Sequence, residues 1–250
     1  MVSDDTYLDQ SKGGFEPDMV RLFESLVTPG DHVLDVGANV GCTALLFSDL
    51  AREVRAFEPS PTTYGFLDRN VRAAKKSNVR TFAYGLGAKR ETSELTFSPD
   101  NRSGGFVSNL TKASVGHTTE TIRIETLDES FAELGIPRVD FMKIDVEGFE
   151  KSVLEGGRET ILRDRPIVVL ELNHWCLNAF QRTSVPDFLD FLRSIFPQLW
   201  AVDGTQAANL HDVSQNYHVM YNHIIHFRFA NLVGAFDAER LRSFFSAYSH

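Results

Sequence analysis

The stretch His32-Val33-Leu34-Asp35-Val36-Gly37-Ala38-Asn39-Val40-Gly41 decides how this chain folds. Its first five residues, mostly Val and Leu, read as a buried strand that runs directly into a loop containing two glycines. Residues 43–50 form a compact apolar helical run, and a second short strand follows over 53–57. Together these make one βαβ unit.

On the N-terminal side, apolar spacing predicts a helix over 19–26 that stops at the turn Thr28-Pro29-Gly30-Asp31. On the other side, Ser60 and Pro61 are an N-cap and first-turn pair opening a helix to residue 75. The pattern then predicts a strand over 79–83 and two strands, 94–97 and 121–124, around a polar loop spanning 98–119. A helix over 127–134, a buried strand over 139–144, a helix over 149–162 and a very apolar strand over 166–172 continue the alternation. Residues 187–196 read as a helix, 199–202 and 223–229 as weaker strands, and 238–247 as a last helix. The expected architecture is α/β: a doubly wound, mostly parallel, seven-stranded sheet in a single domain over 1–250.

With 250 residues, 42% of them apolar and 24% charged, the chain can bury a full core. A net charge of −9 disfavours a nucleic-acid partner. Two cysteines, Cys42 and Cys176, provide neither a disulfide framework nor a zinc pattern. The polar, acidic start has no secretory character and no run reaches membrane-spanning length, so a cytoplasmic protein is expected. Monomer and homodimer are both compatible with the sequence.

Open α/β sheets bind ligands beyond the carboxyl ends of their strands, where the strand order reverses. Gly37 and Gly41 permit positive φ and close backbone approach there. The second strand ends at Glu58, about 20 residues after the loop, the distance at which such sites hold ribose hydroxyls with an acid. A nicotinamide fingerprint fails, because Asn39 and Cys42 occupy its second and third glycine positions.

The loop Asp35-Val36-Gly37-Ala38-Asn39-Val40-Gly41 resembles the D/E-x-G-x-x-x-G loop of class I methyltransferases. With Phe57-Glu58-Pro59-Ser60 and Lys143-Ile144-Asp145-Val146-Glu147-Gly148-Phe149-Glu150, the chain resembles the FkbM family of methyltransferases over residues 15–196. That resemblance implies a Rossmann-like fold and S-adenosylmethionine as cofactor, held by Glu16, Asp35, Gly37, Ala38, Asn39, Gly41, Glu58, Pro59 and Asp145. It further implies O-methylation of a small molecule, a sugar or glycan, or a secondary metabolite. It also places 98–119 near the active site, where this polar loop is expected to cover the acceptor.

Methyl transfer needs collinear positioning, worth roughly 7–11 kcal/mol in favourable cases, and a group that accepts the hydroxyl proton. Asp145 and Glu147 follow a central strand, and either can serve as base. Against this, Glu147 and Glu150 also suit the first turn of the next helix. Glu171 ends a buried strand with His174 three residues on, and both are catalytic candidates, His174 equally a loop residue bonded to a neighbour. Asp145, Glu171 and His174 would be the ligands if a Mg²⁺ or Mn²⁺ ion takes part. Trp175 and Phe180 suit an acceptor platform or a core. The alternatives are a metal-assisted RNA ribose methyltransferase, which the charge disfavours, and a non-catalytic S-adenosylmethionine-binding protein.

Overall fold

The computed structural model describes residues 1–3, 16–98, 100–108 and 116–250, and for 101–103 the backbone alone. Phe15 and positions 99 and 109–115 of the predicted cover loop lie outside the described residues. Pro17 opens helix α1 (Pro17–Leu26), followed by β1 (His32–Val36), α2 (Cys42–Leu50) and β2 (Glu53–Phe57). The Ser60 hydroxyl accepts from Thr63 N and starts α3 (Pro61–Ala73), which leads into β3 (Val79–Phe82). Four strands come next: β4 (Gly85–Leu86), β5 (Glu91–Ser98), β6 (Asn101–Val107) and β7 (Thr118–Glu125). Thr126 caps α4 (Leu127–Leu134), and β8 (Phe141–Ile144), α5 (Glu150–Gly156), α6 (Arg158–Asp164) and β9 (Ile167–Glu171) follow. The remainder is α7 (His174–Gln181), α8 (Val185–Ile195), β10 (Gln198–Asp203), β11 (Gln206–Asn209), α9 (Val213–His226), β12 (Asn231–Ala235) and α10 (Arg242–Ala247).

The main sheet has eight strands in the order β11-β10-β12-β9-β8-β1-β2-β3. Strands β1, β2, β3, β8 and β9 pair in parallel, and β12 runs antiparallel to both β9 and β10. The expected doubly wound, mostly parallel sheet is present, with one strand more than the seven expected. The extra strand, β11, returns against β10 through Gly204, whose φ of 59° suits a two-residue hairpin turn. After β3 the chain crosses to β8 on the other side of β1, so the strand order reverses between β1 and β8.

Alternation along the strands sorts the core. Leu34, Val36, Met142, Ile144, Val168 and Leu170 pack with Leu127, Val153, Leu177 and Phe188 of α4, α5, α7 and α8. Val33, Phe141, Ile167 and Val169 face the other way, onto Phe23, Phe47 and Phe244 of α1, α2 and α10. The same alternation carries Asp35 and Lys143 onto this second face, near the carboxyl edge.

Three expectations are corrected. The polar loop 98–119 contains β6, which pairs antiparallel with β5 in a second, four-stranded sheet ordered β4-β7-β5-β6. Phe106 gives the physical reason: its ring is buried and stacks on Phe180 of α7 at 3.6 Å. Residues 223–226 end helix α9 and do not start a strand. Asp212 caps that helix, accepting from Ser214 N and Gln215 N, and Val219 and His223 are buried one turn apart; the strand forms later, as β12. The helix expected over 149–162 is two helices broken at Gly157. Gly156 sits so close to the chain that a Cβ there would lie 1.8 Å from the Gly87 carbonyl oxygen. Among the described residues, no helix is long and apolar enough to cross a membrane.

Candidate active site

Val36 of β1 lies opposite Ile144 of β8, and Ile144 opposite Leu170 of β9, so Gly37, Asp145 and Glu171 leave three adjacent strands at the same level. A Cβ on Gly37, whose φ is 79°, would lie 1.9 Å from the Asp145 carbonyl oxygen. Only glycine lets these two strand ends approach so closely. Asn39 is also left-handed, with φ 49°, and Gly41 takes φ 98° as the N-cap of α2. The loop therefore bends tightly around the end of β1.

Asp35 is fully buried. Its Oδ2 accepts from the Thr43 hydroxyl at 2.7 Å, and Oδ1 accepts no hydrogen bond. Lys143, on the neighbouring strand, donates to the Gly37 carbonyl at 2.9 Å and lies 3.2 Å from Asp145 and 3.7 Å from Asp35. Burial raises the Asp35 carboxyl against the pull of Lys143 and Thr43. Burial opposes the charge on Lys143, but Asp145 and Asp35 outweigh it and hold the ammonium above its ordinary range.

At the end of β2, Glu58 accepts from Asn39 N at 3.1 Å and Ser60 N at 2.9 Å, which ties the glycine loop to the start of α3. Burial still pushes this carboxyl up to about 7, against both donors. Beyond β8, Glu147 takes φ 53° and Gly148 φ 94°, a turn that turns the Glu147 side chain toward α7. Asn173 Nδ2 and Cys176 Sγ both donate to Glu147 Oε2, at 3.2 and 3.1 Å. Oε1 has no hydrogen-bond partner among the described residues. Burial, then the field of Asp145, pushes Glu147 up to about 7. Burial and Glu147 push the Cys176 thiol up, so it remains a protonated donor.

Glu150 is 1% exposed, and its Oε1 accepts from Val146 N and Gly148 N. It fastens the turn that carries Glu147, more than a helix-dipole role requires. Glu171 lies on the same side as Lys143; burial and then Asp145 and Glu147 raise its carboxyl well above the usual range, and its Oε2 is buried without a hydrogen-bond partner.

The glycine loop, Glu58, Lys143, Asp145, Glu147 and Glu171 line one cleft, with Asn173, Cys176 and Glu150 holding its walls from behind. The cleft brings together Glu16, Gly37, Ala38, Asn39, Glu58, Pro59, Asp145, Glu147 and Glu171. Asp35 and Gly41 stand behind it, holding the loop through Thr43 and the start of α2. Its far wall is apolar and belongs to the second sheet: Leu95, Phe97, Val107, Ile122 and Ile124, with Phe149. Glu120 of β7 anchors that wall by accepting from the Ser60 and Thr62 hydroxyls of α3. Strand β6 is held to α7 by Ser108 Oγ on the Phe180 carbonyl and Gln181 Nε2 on the Val107 carbonyl, both at 2.8 Å.

His174 is not among the residues lining this cleft. Its ring packs on Phe227 at 4.6 Å and edge-on to His223 at 5.0 Å, and burial lowers its pKa. Asp145, Glu171 and His174 are therefore not brought together as a ligand set. Among the described residues, no group of three or more His, Cys, Asp or Glu side chains is arranged to hold a metal ion. Phe180 is core against Phe106, and Trp175 is an exposed ring edge-on to it. Lys143, Asn173, Cys176 and the second-sheet wall were not singled out from sequence. A lysine inside a buried strand, two residues before an acid, was the available signal for the first of them.

The strand order β10-β12-β9-β8-β1-β2-β3, with β12 antiparallel between β9 and β10 and a glycine loop at the reversal, is that of the class I, Rossmann-like methyltransferases. The crystal structure of methyltransferase FkbM from Methylobacillus flagellatus shares this fold, with a TM-score of 0.52 and 16% identity over 84% of this chain and 47% of that one. The chain belongs to the methyltransferase FkbM domain family, whose model matches residues 35–198. It is 30% identical over 158 residues to the hexuronic acid methyltransferase AglP of Haloferax volcanii, covering 63% of this chain and 62% of that protein. It is 31% identical over 160 residues to the 31-O-demethyl-FK506 methyltransferase FkbM of Streptomyces tacrolimicus, covering 51% and 60%. The 2-O-methyltransferase NoeI of Sinorhizobium fredii matches at 27% over 161 residues, covering 58% and 65%. The chain thus spans under two thirds of the length of these relatives.

Proposed function

We propose that this protein transfers a methyl group from S-adenosylmethionine to a hydroxyl of a small molecule, sugar or glycan, or secondary metabolite. One observation carries the reading: a single cleft joins the glycine loop and Glu58 to the carboxyl-bearing ends of β8 and β9. The relatives' names, a hexuronic acid methyltransferase, a 2-O-methyltransferase and a 31-O-demethyl-FK506 methyltransferase, are consistent with it.

The residues present fit the cofactor. Gly37, Ala38 and Asn39 present a tightly bent, glycine-containing loop to the cleft, its φ of 79° at Gly37 and 49° at Asn39, and Glu58, held by two backbone donors beside it, would serve the ribose hydroxyls. When bound, S-adenosylmethionine supplies an electrophilic methyl group and leaves as a neutral thioether. Gly37, Ala38 and Asn39 would hold its amino-acid portion, Glu58 and Pro59 its ribose, and the apolar second-sheet wall would exclude water beside it.

The hydroxyl proton goes to a carboxylate. Glu147 is the best placed, because both donors occupy Oε2 and Oε1 is left to accept. A carboxyl near 7 is matched to general-base work at neutral pH. With that methyl donor bound, Glu147 would accept at Oε1 the proton that the acceptor hydroxyl gives up on methylation. Asp145, beside it, raises its basicity, and Lys143 keeps Asp145 in place.

Calorimetric titration of S-adenosylmethionine into wild type, Asp35→Asn and Glu58→Gln, with NADH in parallel, tests the reading. Binding by the wild type, weakened by at least about tenfold in Glu58→Gln with the fold intact, is expected. No binding, or binding of NADH in its place, would sink it.

A further inference from the structure

Glu16, Asp145, Glu147 and Glu171 line the cleft where β8 and β9 end, and Lys143 is the one basic side chain among its described lining residues. The lysine is already committed. Its ammonium donates to the Gly37 carbonyl and lies within 4.0 Å of Asp145 and Asp35, leaving nothing for a further anion. Glu171 Oε2, by contrast, is buried without a partner, and both donors to Glu147 sit on its Oε2.

The charges do not balance once the cofactor is counted. S-adenosylmethionine carries a sulfonium, an ammonium and a carboxylate, net one positive charge. With Lys143 it offsets two of six carboxyls, Asp35, Glu58 and the four above, and leaves four. The protein alone answers this excess by keeping protons: burial and the neighbouring Asp145 raise both Glu16 and Glu147, and burial with Asp145, Glu147 and Glu150 raises Glu171. A cation entering the cleft would displace those protons, while an anion at the ends of β8 and β9 would meet carboxyl oxygens and, among the described residues, no uncommitted basic side chain.

Resting on the methyl-transfer reading, we infer that the acceptor carries no anionic group beside its reacting hydroxyl, and that an amino substituent there favours it. The substrate class is a neutral or amino-bearing polyhydroxyl compound, and carboxylated or phosphorylated counterparts are turned away by like charge.

Transfer of labelled methyl from S-adenosylmethionine to three matched probes, methyl glucoside, methyl glucosaminide and methyl glucuronide, tests this at low salt. The first two should exceed the glucuronide in kcat/KM by about tenfold or more, and Glu171→Gln should narrow the gap. Equal or better use of the glucuronide overturns the inference. If none of the three is methylated, the binding of sinefungin, which carries an ammonium where the methyl group departs, is compared with that of S-adenosylhomocysteine. Tighter binding of sinefungin by about tenfold, diminished in Glu171→Gln, supports an acceptor end that selects for positive charge. Equal or weaker binding overturns it. Absence of binding for S-adenosylmethionine, sinefungin and S-adenosylhomocysteine alike would be a failure of the methyl-transfer reading itself, and the titration separates that outcome from the others.

Discussion

Lys143 on β8 stands directly opposite Asp35 on β1, with its ammonium 3.7 Å from the one Asp35 oxygen that accepts no hydrogen bond. Both side chains are almost completely buried in the middle of the sheet. The pair spans the point where the strand order reverses and also reaches Asp145 and the Gly37 carbonyl, so it joins the cofactor loop to the candidate catalytic turn.

Replacing Lys143 by Met leaves Asp35 and Asp145 without their cation. Breaking a buried pair this way costs about 3–5 kcal/mol, and the lower end is expected because Asp35 can take up a proton. Urea unfolding of Lys143→Met and of the double variant Lys143→Met, Asp35→Asn checks this. The double variant should recover part of the loss, and an unrecovered loss would mean that Lys143 acts through packing.

Glu150 titrates near 7 in the fold against an ordinary 4.5. A carboxyl raised by folding contributes its full stability below 4.5, where folded and unfolded chains are both protonated, and loses it as pH rises through about 7. In Glu150→Gln the amide oxygen can still accept from Val146 N and Gly148 N, and nothing titrates. Between those limits the wild type should lose on the order of 3 kcal/mol more than the variant, read from unfolding at a series of pH values. Parallel stability curves would be evidence against it.

Asn173 does two things with its two ends: Oδ1 caps α7 by accepting from Cys176 N, and Nδ2 donates to Glu147. Asn173→Ser keeps a capping oxygen and loses the donor, so stability should change by under about 0.5 kcal/mol. The kcat should fall by about tenfold. Because that donor lowers the Glu147 pKa, the acid limb of the pH–rate profile should move to higher pH. A fall in kcat with no movement of the limb would show that Asn173 serves the helix and not the carboxylate.

Two glycine substitutions should have opposite signs. Gly37→Ala places a methyl group 1.9 Å from the Asp145 carbonyl oxygen at a positive φ, which the protein relieves only by parting β1 from β8. A stability loss of at least about 1–3 kcal/mol is expected, with weakened cofactor binding. Gly65 lies exposed inside α3 with nothing within 4 Å of its would-be Cβ, so Gly65→Ala should stabilise by about 0.5–1 kcal/mol. Thermal melts of the two variants compare them directly.

Phe180→Ala removes the ring on which Phe106 stacks and with it the seat of β6. The loss should be about 3–5 kcal/mol, with hydrogen exchange in residues 104–107 rising before that of the main sheet. If exchange rose uniformly, β6 would be an integral part of the core and not a locally anchored wall.

The strand and loop over His32–Gly41 were readable from local chemistry, because a buried parallel strand is apolar along its whole length and its loop needs glycine wherever φ is positive. The same holds for the Ser60 cap, for Glu58 at the end of β2, and for Asp145 and Glu171 at the ends of β8 and β9. Where polar sequence disguised a strand, as in β6, or where a helix of mixed composition imitated one, as in α9, local pattern was insufficient. Phe106 and Asp212 are single residues whose meaning depends on what faces them.

What the sequence determined by itself was the alternation of strands and helices and the chemical identity of the groups at the strand ends, since both follow from short-range periodicity and backbone conformation. Only the tertiary structure decided which of those groups meet. It set Lys143 against Asp35, turned His174 away toward His223 and Phe227, and bound Asn173 and Cys176 to Glu147. Strand register and helix packing bring together residues 26 to 108 positions apart, and no local pattern encodes that pairing.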